Sequence, residues 1–308
     1  MKSGRPTLRS AIAALRREAK GFREEIVKGK QQEILGALAR RGLRCFPGKQ
    51  EPLLLLPAVK RCGDEFYRYL KKYSFRLFLR DVIKHRQLFS LDDLLRYCSR
   101  RSAEEYLRFL VRAGVVFPLG GSRFRLKNSR ISSFGETLEW FVCQILEKEF
   151  YLPSLCGFRV KQNRGGGDFD LVALMEGSLI YIETKSSPPK NIEQHDIRTF
   201  FDRLEVLAPD LAIYLEDTQL RMTDKIAVMF ETELQERIGP SWRRKCPLSR
   251  LGREIFGVED RLFLTNSDPD LITNLGFCLG RYLRSRAGRG ELYRAGSTPQ
   301  RTAWTAPH

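Results

Sequence analysis

Histidine is scarce in this chain, three in 308 residues. No Ser/His/Asp or Cys/His arrangement stands out around them, so histidine-activated nucleophilic catalysis is not expected. The seven cysteines, Cys45, Cys62, Cys98, Cys143, Cys156, Cys246 and Cys278, never form a CxxC pair. Their odd number and wide spacing argue against a disulfide framework and against a zinc site. A reducing cytoplasm is the expected compartment. Long apolar runs are also missing. The longest, Leu53 to Val59, is broken by Pro57 and far too short to span a bilayer. The opening MKSGRPTLRS has no apolar core, so no signal peptide is expected.

Positive charge is abundant and uneven. The net charge is +17. Residues 1–130 carry 31 Lys+Arg against 12 Asp+Glu, residues 131–234 carry 10 against 18, and residues 235–308 carry 13 against 7. A basic half beside an acidic segment suggests a polyanion-binding surface next to something that needs carboxylates. Nucleic acid is preferred to a membrane surface, because no Trp-rich amphipathic anchor accompanies the charge.

The periodicity divides the chain into four parts. Residues 1–60 read as a basic helical arm over 8–40 followed by a linker, since Pro47, Gly48, Pro52 and Pro57 punctuate residues 45–60. A solvated helical face and a backbone-binding arm fit the arm equally well. Residues 61–130 read as three helices and a hairpin. FRLFLRDVIKHR is the first clear helix; Ser90 is expected to cap LDDLLRYC, and Ser102 to cap AEEYLRFLVRAG, which stops at Gly114. Two alternating runs around Gly120-Gly121 then signal the hairpin. That order resembles a winged helix. A DNA-binding winged helix would place Arg100, Arg101, Arg108 and Arg112 on its third helix and Arg123, Arg125 and Lys127 on the wing, against base edges and phosphates. The competing reading is a protein–protein module. Residues 131–285 alternate helix and strand: a helix over 134–150, strands at 157–162, 168–175 and 178–185, a helix to Leu207, and a strand at 211–217. A helix from Asp224, a strand at 261–267 and a final helix from Pro269 follow. Residues 286–308 read as a disordered tail.

The chemistry concentrates in DFDLVALMEGSLIYIETKSS, two strands joined by Glu176-Gly177. Side chains alternate along a strand, so Asp168, Asp170 and Val172 should share one face, and Glu183 and Lys185 one face of the next strand. A hairpin can bring Asp170 to Glu183 and Lys185. Unpaired carboxylates in so apolar a setting are costly. A divalent cation would compensate, and Asp and Glu oxygens suit Mg²⁺ or Mn²⁺. Weaker candidates are His195, better read as a surface or helix-face residue; Lys161 and Arg164, which fit a phosphate contact and a solvated turn equally well; and Gly165-Gly166-Gly167, better read as a turn than as a phosphate loop.

Asp170 with Glu183-Thr184-Lys185 resembles the PD-(D/E)xK nuclease superfamily, as does Ser186 after the lysine. The proline usual before the aspartate is replaced by Phe169. The element order resembles the αβββαβ restriction-endonuclease-like core, which would make the chain an α/β protein with a mainly helical, winged-helix-like N-terminal region. Family members often carry a glutamate on the first helix. Glu136 and Glu139 are the candidates. Glu139 borders the apolar face of the helix whereas Glu136 lies opposite it, and Gly135-x-x-Leu138-Glu139-x-x-Val142 resembles the helix of some members. The resemblance implies a metal-dependent endonuclease acting on DNA. Glu139, Asp170 and Glu183 would hold Mg²⁺ (or Mn²⁺) and Lys185 would stabilise developing charge. A homodimer would suit double-strand cleavage, though no sequence feature demands one. The rivals are a catalytically inactive nucleic-acid-binding regulator or complex subunit on the same fold, and an RNA-directed nuclease.

Overall fold

The computed structural model describes residues 31–47, 53–161 and 167–287, together with Gly29. Most of the basic arm, Arg164, Gly165, Gly166 and the tail beyond 287 lie outside the described residues. The described chain begins with a helix over 31–40 (α1) and a strand, β1 (Arg44–Pro47). Next come α2 (Gly63–Leu70), α3 (Tyr73–Lys84), β2 (Phe89–Ser90), α4 (Arg100–Arg112), β3 (Val116–Gly120) and β4 (Arg123–Leu126). Then follow α5 (Gly135–Glu149), β5 (Ser154–Lys161), β6 (Gly167–Met175), β7 (Ser178–Lys185), α6 (Gln194–Leu207) and β8 (Leu211–Glu216). The chain continues through α7 (Val228–Ile238), α8 (Trp242–Lys245), β9 (Ser249–Arg250), β10 (Ile255–Val258), β11 (Leu262–Thr265) and α9 (Leu271–Ala287).

Eight strands form one mixed sheet in the order β1-β5-β6-β7-β8-β11-β10-β9. β5, β6 and β7 run antiparallel, and β7, β8 and β11 run parallel. The apolar strands are buried on both faces, and alternation sorts their side chains between two cores. Leu171, Ala173, Ile180 and Ile182 pack with α5, α9 and the N-terminal helices. Val172, Leu174, Leu179 and Tyr181 pack with α1, α6 and α7. Glu176 and Gly177, at φ 50° and 78°, close the β6–β7 hairpin as the dipeptide implies. The segment read as arm and linker takes part in the sheet: β1 pairs with β5, while Ile34 and Leu38 of α1 are buried against it.

The N-terminal unit differs in detail from its sequence reading. Residues 91–98 form no α-helix, only a 3₁₀ turn at Asp92–Leu94. Ser90 lies in β2 opposite Arg123, and its N–H and hydroxyl donate to Asp93 Oδ2 at 2.8 and 2.9 Å. Strand pairing on one side and this local turn on the other leave no room for a helix start. The cap of α4 is Ser99 rather than Ser102: the Ser99 hydroxyl accepts the Ser102 N–H at 3.2 Å. Gly114 ends the helix as expected, at φ 69°, with Val115 N–H to Leu110 O and Gly114 N–H to Val111 O. β2, β4 and β3 form a three-stranded sheet beside α4. At the other end, α9 begins after Asp270, whose carboxylate accepts the Thr273 N–H at 2.9 Å, rather than at Pro269.

Candidate active site

Glu183 and Lys185 emerge on one face near the end of β7, on the side covered by α6. Glu183 is 1% exposed. Its Oε1 lies 3.3 Å from Lys185 Nζ, and its Oε2 accepts from the Tyr181 hydroxyl and the Arg203 guanidinium. Lys185 Nζ also donates to Asp196 Oδ1 at 3.1 Å. Asp196 belongs to the first turn of α6, where it forms a capping box with Glu193. The helix start that orders α6 thereby also fixes the lysine. Burial would lower the Lys185 ammonium, but Glu183 and Asp196 outweigh it and raise it, so the lysine stands as a fixed cation.

Asp170 comes from the neighbouring strand β6. The ladder there pairs Leu171 with Ile182, so continuing its register by one residue places Asp170 across from Glu183. Asp170 Oδ2 accepts from the Thr184 N–H at 2.7 Å and the Thr184 hydroxyl at 3.1 Å. Burial, then the charges of Glu183 and Glu139, push its carboxyl well above the usual carboxylate range. The middle residue of the E-x-K element therefore positions the aspartate. On the other side of β6 the ladder with β5 is interrupted between Cys156–Leu171 and Phe158–Phe169. Gly157, at φ 61°, fills that interruption, and a Cβ there would stand 3.9 Å from Glu139 Oε2. Glu139 thus reaches the sheet from α5 at the kink beside Asp170.

Two expectations change here. Asp168 does not join Asp170: it is exposed and paired with Arg159, because Phe169 turns into the α6 core and breaks the simple alternation. Glu136 does not face solvent. Its Oε2 accepts the Leu53 N–H at 2.6 Å, fastening the chain before α2 to α5. His195 is exposed on α6 and Lys161 on β5. Arg100, Arg101, Arg108, Arg112, Arg123, Arg125 and Lys127 are all exposed. Arg100 pairs with Asp92 and Arg112 with Glu65, while Arg125 and Lys127 flank the Phe117 ring at 5.7 and 5.9 Å.

Sequence reasoning missed Tyr181, Asp196 and Arg203. Asp196, Phe200 and Arg203 recur at helical spacing, a signal of one face turned to the sheet, but nothing local names Glu183 as their target. It missed Tyr214 and Glu216 as well. In β8 these are the register partners of Glu183 and Lys185, fully buried, and among the described residues neither the Tyr214 hydroxyl nor either Glu216 oxygen has a hydrogen-bond partner.

The donor set suits a hard divalent ion, being all carboxylate and drawn from three elements. Asp170 in particular is a carboxyl whose burial and acidic neighbours a cation would relieve. Among the described residues, however, no three His, Cys, Asp or Glu side chains stand close enough to hold a metal as arranged. Glu183 instead answers to Lys185, Arg203 and Tyr181.

No protein-family model and no curated protein matches the sequence. Among solved structures, Can2 from Sulfobacillus thermosulfidooxidans, in complex with cyclic tetra-adenylate, is similar over 80% of this chain at 12% identity and a TM-score of 0.47. Protein VC1899 from Vibrio cholerae is similar over 81% at 15% identity and a TM-score of 0.47. The chain spans 59% and 60% of the length of those two proteins.

Proposed function

We propose that the chain is a metal-dependent nuclease of the PD-(D/E)xK type, cleaving phosphodiester bonds in DNA. The observations that support this reading are that Asp170 lies across the β6–β7 ladder from Glu183, that Glu183 meets Lys185 at 3.3 Å, and that the charges of Glu183 and Glu139 raise Asp170. The succession α5-β5-β6-β7-α6-β8 is read as the αβββαβ core, and α2 to β4 as a winged helix. Asp170 and Glu183, with Glu139, would hold Mg²⁺ or Mn²⁺, which supplies an activated water and a Lewis acid when bound. Lys185, fixed by Asp196, places a cation where the phosphate gathers charge. The exposed arginines of α4 and the β3–β4 hairpin hold the backbone and orient the substrate.

The test is nicking of supercoiled plasmid with and without Mg²⁺, by wild type, Asp170→Ala and Lys185→Ala. A loss of about 10²–10³-fold in both variants, with binding retained, is the expected result. Wild-type inertness with tight DNA binding overturns the nuclease reading. It favours instead a non-catalytic nucleic-acid-binding protein, which the engagement of Glu183 by Arg203 and Tyr181 supports. Cleavage of RNA in preference to matched DNA overturns the choice of substrate alone.

A further inference from the structure

A groove of about 590 Å³ runs between α4 and the β3–β4 hairpin. Its floor is apolar. The core face of α4 is Ala103, Tyr106, Phe109 and Leu110, all buried. Leu107 and Val111 lie further round the helix, at about 100° per residue, so α4 is apolar over a wider arc than that core uses. Leu91, just after β2, and Phe124, on β4, complete the floor; with Val111 they are only half-buried. An open apolar strip with a polar rim marks an interaction site.

The rim is basic. Arg108 and Arg112 stand on it, both exposed, and Arg101 continues the same stripe of α4. Arg112 shares its charge with Glu65 at 2.5 Å. Arg108 Nε donates to the Glu104 backbone oxygen at 3.3 Å, and among the described residues neither Arg108 nor Arg101 is paired with a carboxylate. Glu104 is the acidic residue of the lining. It lies three residues after Arg101 and four before Arg108, so a cation flanks it on either side. Ser122 adds a hydroxyl at the hairpin turn.

We propose that this groove docks an acidic amphipathic helix of another protein, its apolar face on Leu91, Leu107, Val111 and Phe124 and its carboxylates on Arg101, Arg108 and Arg112. The lining runs along α4 from Glu104 to Arg112, about 12 Å at 1.5 Å per residue. Apolar anchors at i and i+7 of a docked helix span about 10.5 Å, which fits that length. Nucleic acid is the other polyanion for such a rim, but its phosphates find no donor on an apolar floor. Charge excludes the ends of the chain itself. Residues 1–28 carry eight Lys and Arg against three Glu, and residues 288–308 three Arg against one Glu. In a second copy, Ile197, Phe200 and Phe201 of the acidic helix α6 are already buried in their own core. A docked helix covers Arg108 and Arg112, which the DNA reading also uses, so partner and duplex compete for α4. The groove itself does not depend on that reading.

The experiment titrates the full chain into fluorescently labelled peptides of about 18 residues, long enough to form a helix. Each is alanine-based, with Leu at i, i+3, i+4 and i+7, and carries either Glu or Lys at the flanking positions. Wild type should bind the Glu peptide about tenfold more tightly than the Lys peptide. Arg108→Glu should abolish that preference. Val111→Gln sits at a half-buried position and favours the helix, so the fold is kept. It should weaken the Glu peptide about tenfold and leave binding of duplex DNA unchanged. Equal affinities for the two peptides, or a Glu-peptide affinity untouched by Val111→Gln, overturn the proposal. Loss of duplex binding in Val111→Gln by the same factor gives the groove to nucleic acid and overturns it too. So does a wild-type dimer in sedimentation that Val111→Gln dissociates, because the occupant is then a second copy. Plasmid nicking by the same preparations reads the nuclease separately. Glu-peptide binding in a chain that cleaves nothing supports the groove and overturns the nuclease reading alone.

Discussion

Arg76 holds Asp217 from 141 residues away, Nε and Nη2 at 2.9 and 2.8 Å from Oδ1, with both side chains at 1% exposure or less. Arg80 adds a second guanidinium at 2.6 Å from Oδ2, and the Ser267 hydroxyl donates to Oδ1 at 2.6 Å. This cluster joins α3 to the sheet end that carries the candidate site. Breaking a buried pair strands its partners, at a cost of about 3–5 kcal/mol. Asp217→Ala is therefore expected to lower unfolding free energy by that order in denaturant titration, more than replacement of both Arg76 and Asp217 by apolar residues. Burial alone would raise the Asp217 carboxyl, but Arg76 and Arg80 outweigh it and hold it low. Its folded-state value thus lies below the unfolded one. The stabilisation is present above the ordinary aspartate range and is lost as pH falls through the lowered value. Asp217→Asn should flatten that acid limb.

Glu216 predicts the opposite slope. Burial pushes its carboxyl to about 8, from an ordinary 4.5, against the opposing charges of Lys225 and Arg80. Folding therefore takes up a proton in the interval between those values. Stability from this group is full below the ordinary value and falls as pH rises to about 8, by up to about 1.4 kcal/mol per pH unit for one proton. Melting curves of Glu216→Gln at acid and alkaline pH should lie closer together than those of wild type. Equal pH slopes in the two proteins would show that Glu216 is not carrying that proton.

On the proposed nuclease reading, Arg203 would compete with a divalent ion for Glu183. The guanidinium meets Glu183 Oε2, the Glu183 charge raises Arg203 against its burial, and Arg203 also stacks over Phe169 at 5.7 Å. Arg203→Met keeps the packing and removes the competing charge. Half-maximal Mg²⁺ for cleavage should fall by about tenfold, or roughly 1.4 kcal/mol, while thermal stability drops. An unchanged or raised Mg²⁺ requirement would assign Arg203 to holding Glu183 in place for catalysis instead.

Much of the site can be read from local pattern. Alternation puts Glu183 and Lys185 on one face, and Glu176-Gly177 sets the hairpin that brings Asp170 across the ladder from Glu183. The same rule fails at Asp168, because Phe169 turns toward α6 and the β5 ladder breaks at Gly157. Glu139 over Glu136 followed from the helical wheel, yet Glu136 is engaged by a backbone N–H that no wheel contains. Asp217, Arg203 and Glu216 were silent for a common reason. Each takes its meaning from a group on a distant element, or from the lack of one, and an isolated Asp, Arg or Glu in sequence has no mark of burial.

The basic surface of the N-terminal unit makes a prediction independent of the chemistry. Arg123, Arg125 and Lys127 are exposed on or just beyond β4, and among the described residues none is joined to a carboxylate. Arg100 and Arg112 are exposed but already paired with Asp92 and Glu65. A phosphate contact releases counterions, so each one lost should reduce the slope of log K against log salt by about 0.9 on duplex DNA. Replacing Arg123, Arg125 and Lys127 by alanine should thus lower the slope by about 2–3. Arg112→Ala should lower it less, because its charge is partly spent on Glu65. Binding isotherms at four salt concentrations decide this. Equal slopes for the triple variant and wild type would remove the β3–β4 hairpin from the proposed DNA interface and turn attention to a protein partner for that face.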